Sequence, residues 1–151
     1  LVAGVLFSVA AIFAAIGHRA AAPLLARYSS RALVVASSLF TALGLLVLVL
    51  VPSVTAFAVA LAMAGAAIGV GMTAAFTTGG ALLPPDAHAT GFGLMMTAAL
   101  IGLAVSPVVA GLISGPELAV VFQADIGLLV LLAAVAWRRM TAAPSAAPAG
   151  H

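Results

Sequence analysis

Nearly the whole chain is written as apolar runs about as long as a bilayer is thick. A spanning helix needs about 20 mostly apolar residues. Five stretches meet or approach that length, at about 1–16, 32–51, 54–77, 91–113 and 118–137. Hydrophobic residues make up 66% and charged residues 5%, where a soluble domain carries about 25% charged residues. Nothing in such a chain could cover a surface facing water, and the mean hydropathy is +1.37. The expected fold is all-α, a polytopic membrane helix bundle of five transmembrane helices. It occupies 1–139 as one domain. A tail at 140–151, rich in Ala and Pro and without apolar periodicity, is expected to be disordered.

The breaks between the runs give the direction. All five cations are Arg. Arg19, Arg27 and Arg31 share the first break, and Arg138 and Arg139 follow the last run. Basic loops stay in the cytoplasm, so the first run is expected to travel from outside to inside. The polar break at 79–90 and the tail then also lie inside, and the short turns at 52–53 and 114–117 face outward. Trp137 beside Arg138 suits an aromatic anchor at the cytoplasmic interface. The expected location is the cytoplasmic (inner) membrane, multi-pass, with a cytoplasmic C-terminus.

Charge and residue usage exclude several functions. The net charge of +2 and a pI near 10.6 do not make a nucleic-acid binder, because Arg split between two loops forms no continuous stripe. With no Cys, a disulfide framework, a thiolate metal site and a Cys nucleophile are excluded. No His pair has metal-ligand spacing, and the Gly-rich segments do not lie between a strand and a helix as a phosphate loop would. No metal or cofactor is expected. The first run has no basic residue ahead of it, which argues against a signal peptide. A bundle that starts outside and has an odd number of spans reads as the C-terminal part of a longer protein.

Within the runs, the fourth carries the strongest pattern. Ala98, Gly102, Ser106, Ala110 and Ser114 recur every four residues, with Gly111 and Gly115 as a second small pair. Small residues on one face let another backbone come close. Pro107 cannot donate to the Leu103 carbonyl, so a kink or hinge is expected there. The third run pairs Gly65 with Gly69. Met72, Phe76, Met95 and Met96 are soft or aromatic groups near these faces, and Met adapts to varied apolar ligands. Ionisable groups inside spans are costly and often functional. Asp125 is the one candidate, either as a proton site or as a carboxylate favoured by the field of a helix N-terminus. His18 sits beside Arg19 at a membrane edge.

Taken together, the pattern resembles the last five of the twelve spans of the major facilitator superfamily of secondary transporters. The first break reads GHRAAAPLLARYSSRALVVAS. Gly17, Arg27 and Arg31 match the Gly and basic positions of the family's loop motif G-x-x-x-D-R-x-G-R, in a degenerate copy that lacks the Asp and has Ser30 in place of the second Gly. The segment GVGMTAAFTTGGALLPPDAHATGFGLMMTAALIGLAVSPVVAGLI resembles the tenth span, loop and eleventh span. Within it, Gly102, Pro107 and Gly111 form G-x-x-x-x-P-x-x-x-G. VFQAD, ending at Asp125, resembles the opening of the twelfth.

The resemblance implies two six-helix halves around a central cavity, of which this chain would supply spans eight to twelve. Its first, third and fourth runs would line the cavity, making Thr73, Phe76, Met95, Met96 and Thr97 candidate substrate contacts. Gly17, Arg27 and Arg31 would latch the cytoplasmic gate. Gly102, Ser106, Pro107 and Gly111 would serve packing and hinge. Asp125 would lie on a peripheral span. The expected function is a drug-efflux-like transporter, exporting a small lipophilic molecule in exchange for protons. Its partners would be that substrate, the lipid bilayer and the N-terminal half of the same protein. The alternatives are a membrane-embedded enzyme, for which Asp86 with His88 is the one local pair, and a non-transporting scaffold.

Overall fold

The computed structural model describes residues 2–51, 53–113 and 118–140. It places five helices in chain order: α1 (Val2–Leu25), α2 (Ser30–Leu50), α3 (Val54–Leu82), α4 (His88–Ile113) and α5 (Leu118–Arg139). A single 3-10 turn, Pro85–Ala87, leads into α4. All five are long and apolar enough to cross a membrane.

The helices overrun the apolar runs at the polar breaks. α1 continues through Gly17, His18 and Arg19 to Leu25. Ala20, Ala21 and Ala22 are the strongest helix formers available, and Ala21 is fully buried. Pro23 removes one backbone donor, but the helix closes two residues later. The first break thus shrinks to a tight turn, in which the Arg27 and Tyr28 amides donate to the Leu24 carbonyl at 3.0 and 2.8 Å. α3 likewise runs past Thr77 to Leu82. Its threonines do not break it, because Thr73, Thr77 and Thr78 each donate the hydroxyl proton to the carbonyl four residues back. α2 and α3 begin at serine caps: Ser29 Oγ accepts from the Ala32 amide at 3.2 Å and Ser53 Oγ from the Ala56 amide at 3.1 Å.

α3 is the centre of the bundle. It packs against α1 on one side and α2 on the other, and α5 packs along α2. The α1–α3 seam is a contact between backbones. A Cβ on Gly65 would collide with the Ala10 carbonyl, one on Gly69 with the Ala14 carbonyl, and one on Gly17 with the Ala66 carbonyl. Gly17 is therefore buried inside a helix seam rather than placed in a loop. The core elsewhere is made of small and aliphatic groups, with Leu33, Ala42 and Leu48 on α2 and Val121, Ala133 and Ala136 on α5 all buried.

α4 stands apart. It meets α3 only over a short stretch and touches α5 slightly. The small-residue stripe of the fourth run does not become a seam among the described residues. Gly102 and Ser106 are exposed, and a Cβ built on Gly102 or Gly111 would meet no atom within 4 Å. Periodicity can show that a face is small, and the neighbour that uses it has to come from elsewhere. The helix passes through position 107; the Pro107 side chain lies outside the described ones, as do Ser114, Gly115 and the tail from 141 onward.

Candidate functional site

The end of the bundle that carries the α3–α4 turn holds a cleft where α1, α3 and α4 meet. Its volume is about 440 Å³, within the usual span for a small-molecule site. α3 supplies Met72, Thr73, Phe76 and Thr77, α4 supplies Phe92 and Met96, and α1 supplies His18. Among the described residues, no Arg, Lys, Asp or Glu lines it.

Each wall is set by local packing. The Phe76 and Phe92 rings stack at 6.0 Å between centroids and 3° between planes, which joins α3 to α4. Phe92 can reach that position because Gly80 leaves room: a Cβ there would fall 2.8 Å from the Phe92 ring. Met95 sits on Gly79 in the same way, with 2.7 Å between its Sδ and the place a Cβ would occupy. His88 completes the corner. Its Nε2 donates to the Gly80 carbonyl at 3.0 Å, and its ring lies 6.1 Å from that of Phe92.

On the α1 side, Gly69 brings the two backbones together, and this close crossing sets His18 against Thr73. His18 Nδ1 and Thr73 Oγ1 are 2.9 Å apart. Thr73 donates its own proton to the Gly69 carbonyl at 2.8 Å.

Of the five substrate contacts named from the sequence, the structure brings Thr73, Phe76 and Met96 into one cleft. Met95 packs on Gly79 beside it, and Thr97 turns its hydroxyl back to the Gly93 carbonyl at 2.8 Å on an exposed face. His18, Met72, Thr77 and Phe92 also line the cleft and are not among those five. The signal for His18 was the Ala-rich stretch that follows it, which extends α1 and lifts the imidazole from a loop edge into a helix face. Phe92 was legible only through its spacing from Phe76 across a turn of unknown geometry.

The remaining candidates lie elsewhere. Arg27 is exposed at the α1–α2 turn. Arg31 lies at the start of α2 with its guanidinium 4.4 Å from the Trp137 ring centroid, so the two basic segments share one end of the bundle. Asp125 is exposed on α5, a helix that packs along α2 and makes no part of the cleft. Asp86 is exposed in the 3-10 turn, while the His88 proton is committed to a backbone carbonyl.

Comparison with known proteins gives one match. A family model described as Major Facilitator Superfamily matches residues 1–151. Neither the curated proteins nor the solved structures offer a significant match.

Proposed function

The chain belongs to the major facilitator superfamily and is thereby a secondary transporter, a premise from which we propose that it works as a proton-coupled exporter of small lipophilic molecules. The observation that carries this reading is the lining of the cleft. Two stacked Phe rings, two Met thioethers and one imidazole make an apolar, adaptable wall. A sugar phosphate or a dicarboxylate would find no charge to hold it there.

In this reading the five helices are spans eight to twelve, and a six-helix N-terminal half covers the open faces of α1 and α4. Rocking of one half against the other exposes the cleft to each side in turn. Arg27 and Arg31 act at the cytoplasmic gate, where positive charge is retained. Gly17 supports them from the α1–α3 seam. Gly102 and Ser106 lie on an α4 face suited to a moving partner, and Pro107 next to them in the chain is the proposed hinge. Asp125, on a peripheral helix, is the lesser candidate for proton coupling, and an acid in the other half is the better one.

The test uses inside-out membrane vesicles carrying the full-length protein. A proton gradient is expected to drive uptake of a lipophilic fluorescent dye, and Phe76→Ala or Met96→Ala to reduce it severalfold. Uptake that ignores the gradient would remove proton coupling. Uptake indifferent to both substitutions would move the site away from this cleft.

A further inference from the structure

The hydrogen bonds around His18 assign the roles of its ring atoms. A hydroxyl has one proton, and that of Thr73 goes to the Gly69 carbonyl at 2.8 Å. With that proton on the Gly69 carbonyl, the oxygen accepts from His18, and the tautomer that fits carries its proton on Nδ1, 2.9 Å away. A neutral imidazole has a single ring proton. Its lone pair therefore lies on Nε2. The other hydroxyl of the lining is also spent, since Thr77 Oγ1 donates to the Thr73 carbonyl at 2.8 Å. Met72 and Met96 offer thioethers, which accept weakly and never donate. The cleft thus offers acceptors, and no uncommitted side-chain donor is left among its lining residues.

We propose that His18 Nε2 is the polar recognition point of the cleft and accepts a hydrogen bond from an N–H or O–H group on an apolar aromatic ligand. The body of the ligand packs against Phe76, Phe92 and the two thioethers. Thr73 is a positioning residue that holds the ring tautomer. This rests on the reading of the cleft as the substrate site and narrows the substrate class to lipophilic aromatics that carry a donor. Aromatics with only acceptors, and anions, are selected against because nothing in the lining can donate to them.

Carbazole and 9-methylcarbazole are the probes, since they share one aromatic frame and differ by replacement of the N–H. Their binding is followed by fluorescence on the purified full-length protein. Carbazole is expected to bind about tenfold more tightly, the usual scale for one hydrogen bond in an apolar site. His18→Asn keeps an amide N–H near the Nδ1 position for Thr73, while its one acceptor, Oδ1, sits close to Cβ and falls short of the place that Nε2 occupies. The variant is expected to bring the two probes within about twofold of each other, because carbazole loses more affinity than 9-methylcarbazole. Should that variant fail to fold, Thr73→Val serves instead, because it releases the tautomer and reduces the preference.

Equal binding of the two probes to the unsubstituted protein overturns the inference, as does a full preference retained in the variant. Phe76→Ala separates this failure from a failure of the underlying reading. If it weakens both probes, the cleft is the site whatever His18 does. If it changes neither, the cleft reading falls and takes the role of His18 with it.

Discussion

A single side-chain pair ties the two basic ends of the chain together. Arg31 lays its guanidinium over the Trp137 ring at 4.4 Å, and its Nε is buried without a hydrogen-bond partner among the described residues. The ring face thus carries much of what holds the guanidinium in place. Trp137→Leu is expected to cost about 1 kcal/mol, read as a lower unfolding midpoint in detergent. Arg31→Gln should add little once Trp137 is gone, and fully additive losses would show the two to be uncoupled. The caps are a separate matter at the same scale. Ser29→Ala and Ser53→Ala should each cost about 1 kcal/mol, with Asn at either position restoring most of it. That Trp137 lies at a helix end beside a basic pair was readable from Arg138 and Arg139. Its partner was not, because Arg31 lies three helices earlier and no local pattern reports which helix ends converge.

Among the elements, the α1–α3 seam carries the clearest contrast. Gly69 faces the Ala14 carbonyl, and a Cβ there would also fall 2.7 Å from the His18 amide nitrogen. Gly69→Ala is expected to destabilise by about 1–3 kcal/mol, the range for overpacking, and to loosen the cleft by pushing His18 from Thr73. Gly102→Ala in the five-helix chain should be neutral or stabilising by up to about 1 kcal/mol, the helix-propensity gain of Ala over Gly, since nothing lies near its Cβ position. Thermal unfolding of the two variants side by side tests the contrast, and equal losses would contradict the seam. The apolar runs and their count were plain in the sequence because bilayer thickness sets their length. The choice of seam was not. Both α3 and α4 offer small residues at four-residue spacing, and the helix that closes on them is decided by contacts far along the chain.

At the level of the whole molecule, the orientation proposed from the arginines is open to direct measurement. These 151 residues hold no Cys, so a single cysteine placed among them, in a protein otherwise free of Cys, reports its own position. Tyr28→Cys and Ala87→Cys should react with a membrane-impermeant thiol reagent in inside-out vesicles, and Ser53→Cys in intact cells. The reverse pattern would invert the proposed topology. The slender attachment of α4 bears on how such a bundle moves. Its grip on α3 is concentrated at one end, in the Phe76–Phe92 stack and the His88 bond to Gly80. At 1.5 Å per residue its length is about 39 Å, so a tilt of about 10° at that corner would sweep the far end through about 7 Å. In the proposed rocking, α4 would turn as a lever about the Phe76–Phe92 stack in the wall of the cleft, so a ligand packed against those rings would press on its short arm.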